Sequence, residues 1–131
     1  MNRKILIVDD ESSIRELFES AFTEAGYEVL LAENGEAALE LFTSQDIHLV
    51  FLDLKLFGMN GIDLCREMRK KRPVAIIYAI TGWLGLFEID ECREAGFDDY
   101  FKKPVSPDLL LHAVEEAFEK LERWYKHYPV P

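Results

Sequence analysis

The chain has 131 residues, with 15 Lys and Arg against 25 Asp and Glu and a formal net charge of −10. That length fits one domain, which buries roughly 65 to 70% of its unfolded surface. The acidic balance works against binding nucleic-acid backbone through the domain as a whole, so proteins are the expected partners. Cys65 and Cys92 lack CxxC spacing or a Cys/His cluster and read as buried reduced thiols rather than a disulfide or a metal site. Met1 to Lys4 lead into only four apolar residues before two aspartates, and no apolar stretch approaches spanning length. Neither a signal peptide nor a membrane contact is therefore expected, and the chain reads as cytoplasmic.

The first apolar run, 5–8, predicts a buried strand that ends at Asp9 and Asp10. Ile14, Leu17, Phe18, Ala21, Phe22 and Ala25 then recur at helical spacing, with Ser12 or Ser13 as cap and Gly26 as a left-handed stop. A strand over 27–32 follows, then a helix capped by Asn34 that buries Ala38, Leu41 and Phe42 and fades at 43–45, then a strand over 47–52. After the loop 54–61 a helix presents Ile62, Cys65 and Met68. Its cations Arg66, Arg69, Lys70, Lys71 and Arg72 are read as offsetting the helix dipole rather than as a docking patch. Pro73 marks the break before a strand over 74–80. A helix around 87–95 ends at Gly96, a fifth strand covers 97–101, and the last helix buries Leu110, Ala113, Val114, Ala117, Phe118 and Leu121. His48, His112 and His127 are assigned to three different elements without ligand spacing and are taken as ordinary residues.

Apolar runs of four to six residues alternating with helix-period segments predict an α/β fold, flavodoxin-like and doubly wound, with a five-stranded parallel sheet and five helices on both faces. Such sheets gather function at the carboxyl ends of their strands. In the order 2-1-3-4-5 the winding reverses between strands one and three, which brings Asp9, Asp10 and Asp53 together. Two carboxylates about 4 Å apart repel by roughly 4 kcal/mol at an effective dielectric of 20, so three call for a cation or a shared proton. With oxygen donors alone, Mg2+ is the expected ion, typically holding one or two carboxylates plus a phosphate oxygen. Thr81 after strand four and Lys103 after strand five reach the same mouth. A nucleophilic Asp53 with a cation, a lysine and a hydroxyl around it suits phosphoryl transfer. Any one strand-end aspartate alone would read as a helix cap.

These residues resemble the receiver domains of bacterial two-component response regulators, of which the chemotaxis regulator is the minimal member; its strand order is a standard example of the doubly wound sheet. The resemblance runs from Lys4-Ile5-Leu6-Ile7-Val8-Asp9-Asp10-Glu11 to the last helix. It takes in Ala32 to Leu39, the Asp53 loop ending Met59-Asn60-Gly61, Thr81-Gly82, and Glu94 to Pro104. It implies that Asp53 is the phosphate acceptor, charged from a histidine kinase, a phosphotransfer protein or a small phosphodonor. By the same resemblance Asp10 is the direct Mg2+ ligand, Asp9 acts largely through water, and the backbone carbonyl of Lys55 completes the protein ligands. Lys103 pairs with the phosphate and precedes a cis Pro104, while Thr81 and Tyr100 form a switch pair whose aromatic ring turns inward. The implied protein is a signalling switch rather than an enzyme, with residues 1–124 as the receiver domain and 125–131 as a C-terminal tail.

The chain departs from that pattern in three places. Phe57 stands where the family usually has proline four residues after the acceptor, and an exposed Phe57 offers a partner contact. Lys55 is unusual so close to the acceptor, and its side chain is expected to meet the phosphoryl group or Glu11. Trp83, Leu86 and Phe87, with Tyr100, are expected to form an apolar interaction surface on the side of the fourth helix, fifth strand and fifth helix, a route to a homodimer or a downstream target. Leu86 is at the same time placed on one helical face with Ile89 and Cys92. Trp124, Tyr125 and Tyr128 carry the last helix beyond the needs of the core. Three rivals remain. A haloacid-dehalogenase-type phosphohydrolase would need an acid where Lys55 stands. A pseudo-receiver would not use phosphate. A receiver cut from a DNA-binding regulator or hybrid kinase would share every residue of the site.

Overall fold

The computed structural model describes residues 2–82 and 85–127, without the side chains of Leu86, Phe87 and His127. Ten elements alternate: β1 (Lys4–Val8), α1 (Ser12–Glu24), β2 (Glu28–Ala32), α2 (Gly35–Ser44), β3 (Leu49–Asp53), α3 (Gly61–Lys71), β4 (Ile76–Thr81), α4 (Leu86–Ala95), β5 (Asp99–Lys102) and α5 (Pro107–His127). The five strands form one parallel sheet in the order β2-β1-β3-β4-β5.

Both faces of the sheet are covered, which is why its strands read as unbroken apolar runs. Leu6, Val50, Leu52 and Ile77 point to one face and pack with Phe42, Leu64 and Met68. Ile5, Ile7, Phe51 and Ile80 point to the other and pack with Phe18, Phe22, Val114 and Phe118. The register aligns the carboxyl ends: Val8 lies beside Leu52, Asp53 beside Ile80, and Thr81 beside Lys102.

Several local expectations are corrected. The serines do not cap α1. Glu11 stands at its N-cap without a side-chain bond, and Ser12 is already helical. Leu17 on that helix and Ala25 at its C-cap are exposed, so the buried stripe is narrower than the spacing implied. Strand β5 starts at Asp99 rather than residue 97, because Gly96 closes α4 at φ 105° and the Phe97 amide bonds back to Cys92. Likewise Asp46, at φ 54°, turns the chain ahead of Ile47, and β3 starts only at Leu49. His112 and His127 share α5, so the three histidines do not lie in three elements.

Arg69 on α3 and Arg72 at its C-cap do more than face a helix dipole. Arg69 donates to the carbonyls of Pro73, Ala75 and Gly96 and pairs with Asp98. Arg72 donates to the carbonyls of Phe42 and Ile47. Together they hold the loops at the end of the sheet away from Asp53.

The aromatic end of α5 also has a place. The Tyr125 hydroxyl meets His48 Nδ1 at 3.0 Å, and His48 Nε2 lies 3.3 Å from Asp46. Burial holds the His48 pKa below 6.5, with Asp46 opposing and Arg72 reinforcing that shift. The unfolded chain therefore takes up this proton first on acidification, and stability falls as pH drops below 6.5. Urea unfolding between pH 7.5 and 5.5 is expected to show this loss, at most about 1.4 kcal/mol per pH unit, and His48→Gln is expected to flatten it.

Candidate functional site

The winding reversal between β1 and β3 places the turns after both strands side by side. Asp9, Asp10 and Asp53 accordingly bring carboxylate oxygens within 4.8 Å of one another. Asp9 and Asp53 are buried and Asp10 is exposed at the mouth. Lys103, delivered by β5, sits among the acids: its Nζ lies 3.0 Å from Asp9 Oδ2, 3.4 Å from Asp53 Oδ2 and 3.5 Å from Glu11 Oε1. The bond from Lys103 to Pro104 is cis.

The backbone fixes the orientation of both buried acids. Asp9 Oδ1 accepts the Glu11 amide at 3.0 Å, and the Asp9 carbonyl accepts the Arg15 guanidinium at 2.7 Å. Asp53 Oδ1 accepts the Lys55 amide at 3.1 Å. The Asp53 backbone is approached closely by α3, since a Cβ added at Gly61 would stand 2.6 Å from the Asp53 carbonyl oxygen and 2.7 Å from Leu54 Cα. Asn60 caps that helix through the Ile62 amide at 2.7 Å, so the loop 54–60 is tied down at both ends.

The electrostatics is that of a cation site. Burial and the charge of Asp9 raise the Asp53 pKa above 3.8, against the Lys55 amide and Lys103. Burial works to lower the Lys103 pKa, yet its hydrogen bond with Asp9 and the charges of Asp53, Asp9 and Glu11 outweigh it and raise the value above 10.5. Asp9 Oδ2 is fully enclosed, and among the described residues it is the Lys103 ammonium that meets it. One ammonium paired with three carboxylates, with Asp10 beside them at the mouth, leaves the pocket short of positive charge among the described residues. The donor set is entirely oxygen, so the residues fit a hard divalent ion such as Mg2+.

Thr81, buried at the end of β4, accepts the Lys103 amide on its carbonyl at 2.8 Å, which locks β5 to the site. Tyr100 lies on β5 with its side chain 46% exposed, beside a cavity of about 340 Å3 that Ile89, Cys92 and Phe97 also line. The rest of the expected apolar surface is not placed: Trp83 lies outside the described residues, and so do the side chains of Leu86 and Phe87. Lys55 turns its side chain to solvent, and Glu11, one of the partners expected for it, pairs with Lys103 instead. Sequence reasoning missed that Glu11 contact, the Arg15 clamp and the role of Gly61. Only the Asn60-Gly61 pair at the start of a helix hinted at the last.

A doubly wound α/β domain with an acidic pocket and one lysine at its switch point defines a narrow class, and comparison with known proteins places the chain within it. The family model for the response regulator receiver domain matches residues 5–115, and the chain belongs to that family. It is 38% identical over 128 residues to the "Probable transcriptional regulator ycf27" of Porphyra purpurea, covering 98% of this chain and 52% of that protein. The chain spans about half the length of the curated relatives it matches. Among solved structures it is similar to a CheY-like response regulator receiver domain protein from Methanospirillum hungatei JF-1 (31% identity, TM-score 0.90, 94% of this chain and 98% of that one). It is also similar to the BeF3-activated DrrB receiver domain (29% identity, TM-score 0.83, 91% and 99%). The chain is therefore a response regulator receiver domain of two-component systems, a class of signalling switches that interact with histidine kinases or phosphotransfer proteins. No described helix is long and apolar enough to cross a membrane.

Proposed function

We propose that this receiver accepts a phosphoryl group on Asp53 and uses it to switch a protein-interaction surface. The observation that carries the reading is the buried Asp53 carboxylate, which shares one pocket with Asp9, Asp10 and Lys103. Asp9, Asp10, Asp53 and the Lys55 carbonyl would hold Mg2+, which when bound supplies charge neutralisation for the acids and the phosphoryl oxygens. An Asp53 oxygen attacks phosphorus in line, and the P–N bond to the donor histidine breaks with the electron pair leaving on the imidazole. Lys103, already 3.4 Å from Asp53 Oδ2, is in place to pair with the phosphoryl oxygens. The added group carries about −1.5 to −2 charges and three acceptor oxygens, enough to draw the Thr81 hydroxyl toward it and to bias Tyr100 inward. The surface so switched is the side of α4, β5 and α5, where Trp83, Leu86, Phe87 and Tyr100 would meet a downstream protein or a second copy.

The similarity to longer transcriptional regulators supports a second reading of the context, in which this receiver controls a DNA-binding output. Phosphoryl incorporation from acetyl phosphate tests the central reading: it is expected in wild type with Mg2+ and lost in Asp53→Asn.

A further inference from the structure

The most exposed large apolar side chain among the described residues is Phe57, 88% accessible, in a chain with a net charge of −10. Its exposure is built into the loop. Leu54 and Leu56 are buried beneath it, so the alternation of the chain turns Lys55 and Phe57 outward. Beyond it Gly58 turns the backbone at φ 90°, where an L side chain is disfavoured. The loop cannot roll Phe57 inward without expelling Leu56.

Phe57 stands four positions after Asp53, which limits the separation of their Cα atoms to about 14 Å. A protein that delivers phosphorus to Asp53 must seat its own histidine over this mouth, because the acceptor carboxylate is buried. A standard interface covers about 800 Å2 per partner, a disc of roughly 16 Å radius. The Phe57 backbone falls inside such a footprint centred on Asp53, and aromatic side chains, phenylalanine included, are enriched in protein interfaces. A small phosphodonor has no surface extending that far. A second copy of the chain seated on Phe57 would close the mouth against the donor.

We propose that Phe57 is a specificity-determining anchor for the protein phosphodonor, gripping the surface around the donor's phosphohistidine without taking part in the chemistry at Asp53. The inference rests on the receiver reading above. The test compares phosphotransfer to wild type, Phe57→Ser and Phe57→Leu. The protein probe is the autophosphorylated histidine kinase, among those of the source genome, that modifies wild type fastest, and the small-molecule probe is acetyl phosphate. Phe57→Ser is expected to lower kcat/KM for the kinase at least tenfold, mainly through KM, with acetyl phosphate incorporation unchanged and Phe57→Leu recovering most of the loss. Equal rates from the kinase for wild type and Phe57→Ser would overturn the anchor. So would a parallel loss with acetyl phosphate, or a change confined to self-association. A wild type that acetyl phosphate does not modify would instead overturn the receiver reading, so the two failures are distinguishable.

Discussion

Lys103→Ala is expected to cost the metal-free domain about 2 kcal/mol at pH 7 and to make its stability strongly dependent on Mg2+. Removing one partner of a buried charge pair costs about 3 to 5 kcal/mol, and the 18% exposure of the Lys103 side chain reduces that figure. The loss arises because Asp9, fully buried, and Asp53, nearly so, are left facing Glu11 and Asp10 with no cation between them. The raised Lys103 pKa keeps this contribution constant through the neutral range, and in wild type it is lost only as pH rises beyond 10.5. Urea unfolding of both proteins, with and without millimolar Mg2+, checks the account. The variant is expected to gain more from Mg2+ than wild type does, because binding to the folded state alone stabilises in proportion to its affinity. A metal-free variant as stable as wild type would show that Lys103 does not balance the acids.

The second large effect is expected at a residue with no charge. Gly61→Ala is predicted to destabilise the fold by about 3 kcal/mol, the upper range for overpacking. The added methyl would stand 2.6 Å from the Asp53 carbonyl oxygen and 2.7 Å from Leu54 Cα, and backbone cannot yield as a flexible side chain does. Relief requires α3 to move away from β3, which also displaces the Lys55 amide from Asp53 Oδ1. The same variant is therefore expected to incorporate phosphate more slowly from acetyl phosphate. Gly26→Ala makes a control, since nothing stands within 4 Å of a Cβ there and only its φ of 96° opposes the change.

Much of this architecture can be read in the amino-acid order, for identifiable reasons. Ile5 to Val8 and Leu49 to Leu52 are buried on both faces, so the strands announce themselves as apolar runs without alternation. A parallel sheet with a winding reversal then gathers Asp9, Asp10, Asp53, Thr81 and Lys103 at one end, whatever their separation along the chain. What escaped reading depends on three-dimensional approach. The Gly96 turn takes Phe97 out of β5, although its side chain still packs in the core. Arg69 and Arg72 look like helix-end charges and become clamps only because the loops at Pro73, Gly96 and Ile47 converge on them. The need for glycine at position 61 comes from a backbone neighbour eight residues away in sequence.

The central claim is that the acidic pocket is a Mg2+-dependent phosphoryl acceptor centred on Asp53. Intact mass after incubation with acetyl phosphate, with and without Mg2+, tests it most directly, on wild type and Asp53→Asn and with peptide mapping of the modified site. The account predicts one added phosphoryl group on wild type, located at Asp53, requiring Mg2+ and absent from Asp53→Asn. Incorporation that ignores Mg2+, that persists in Asp53→Asn, or that never occurs in wild type would contradict it.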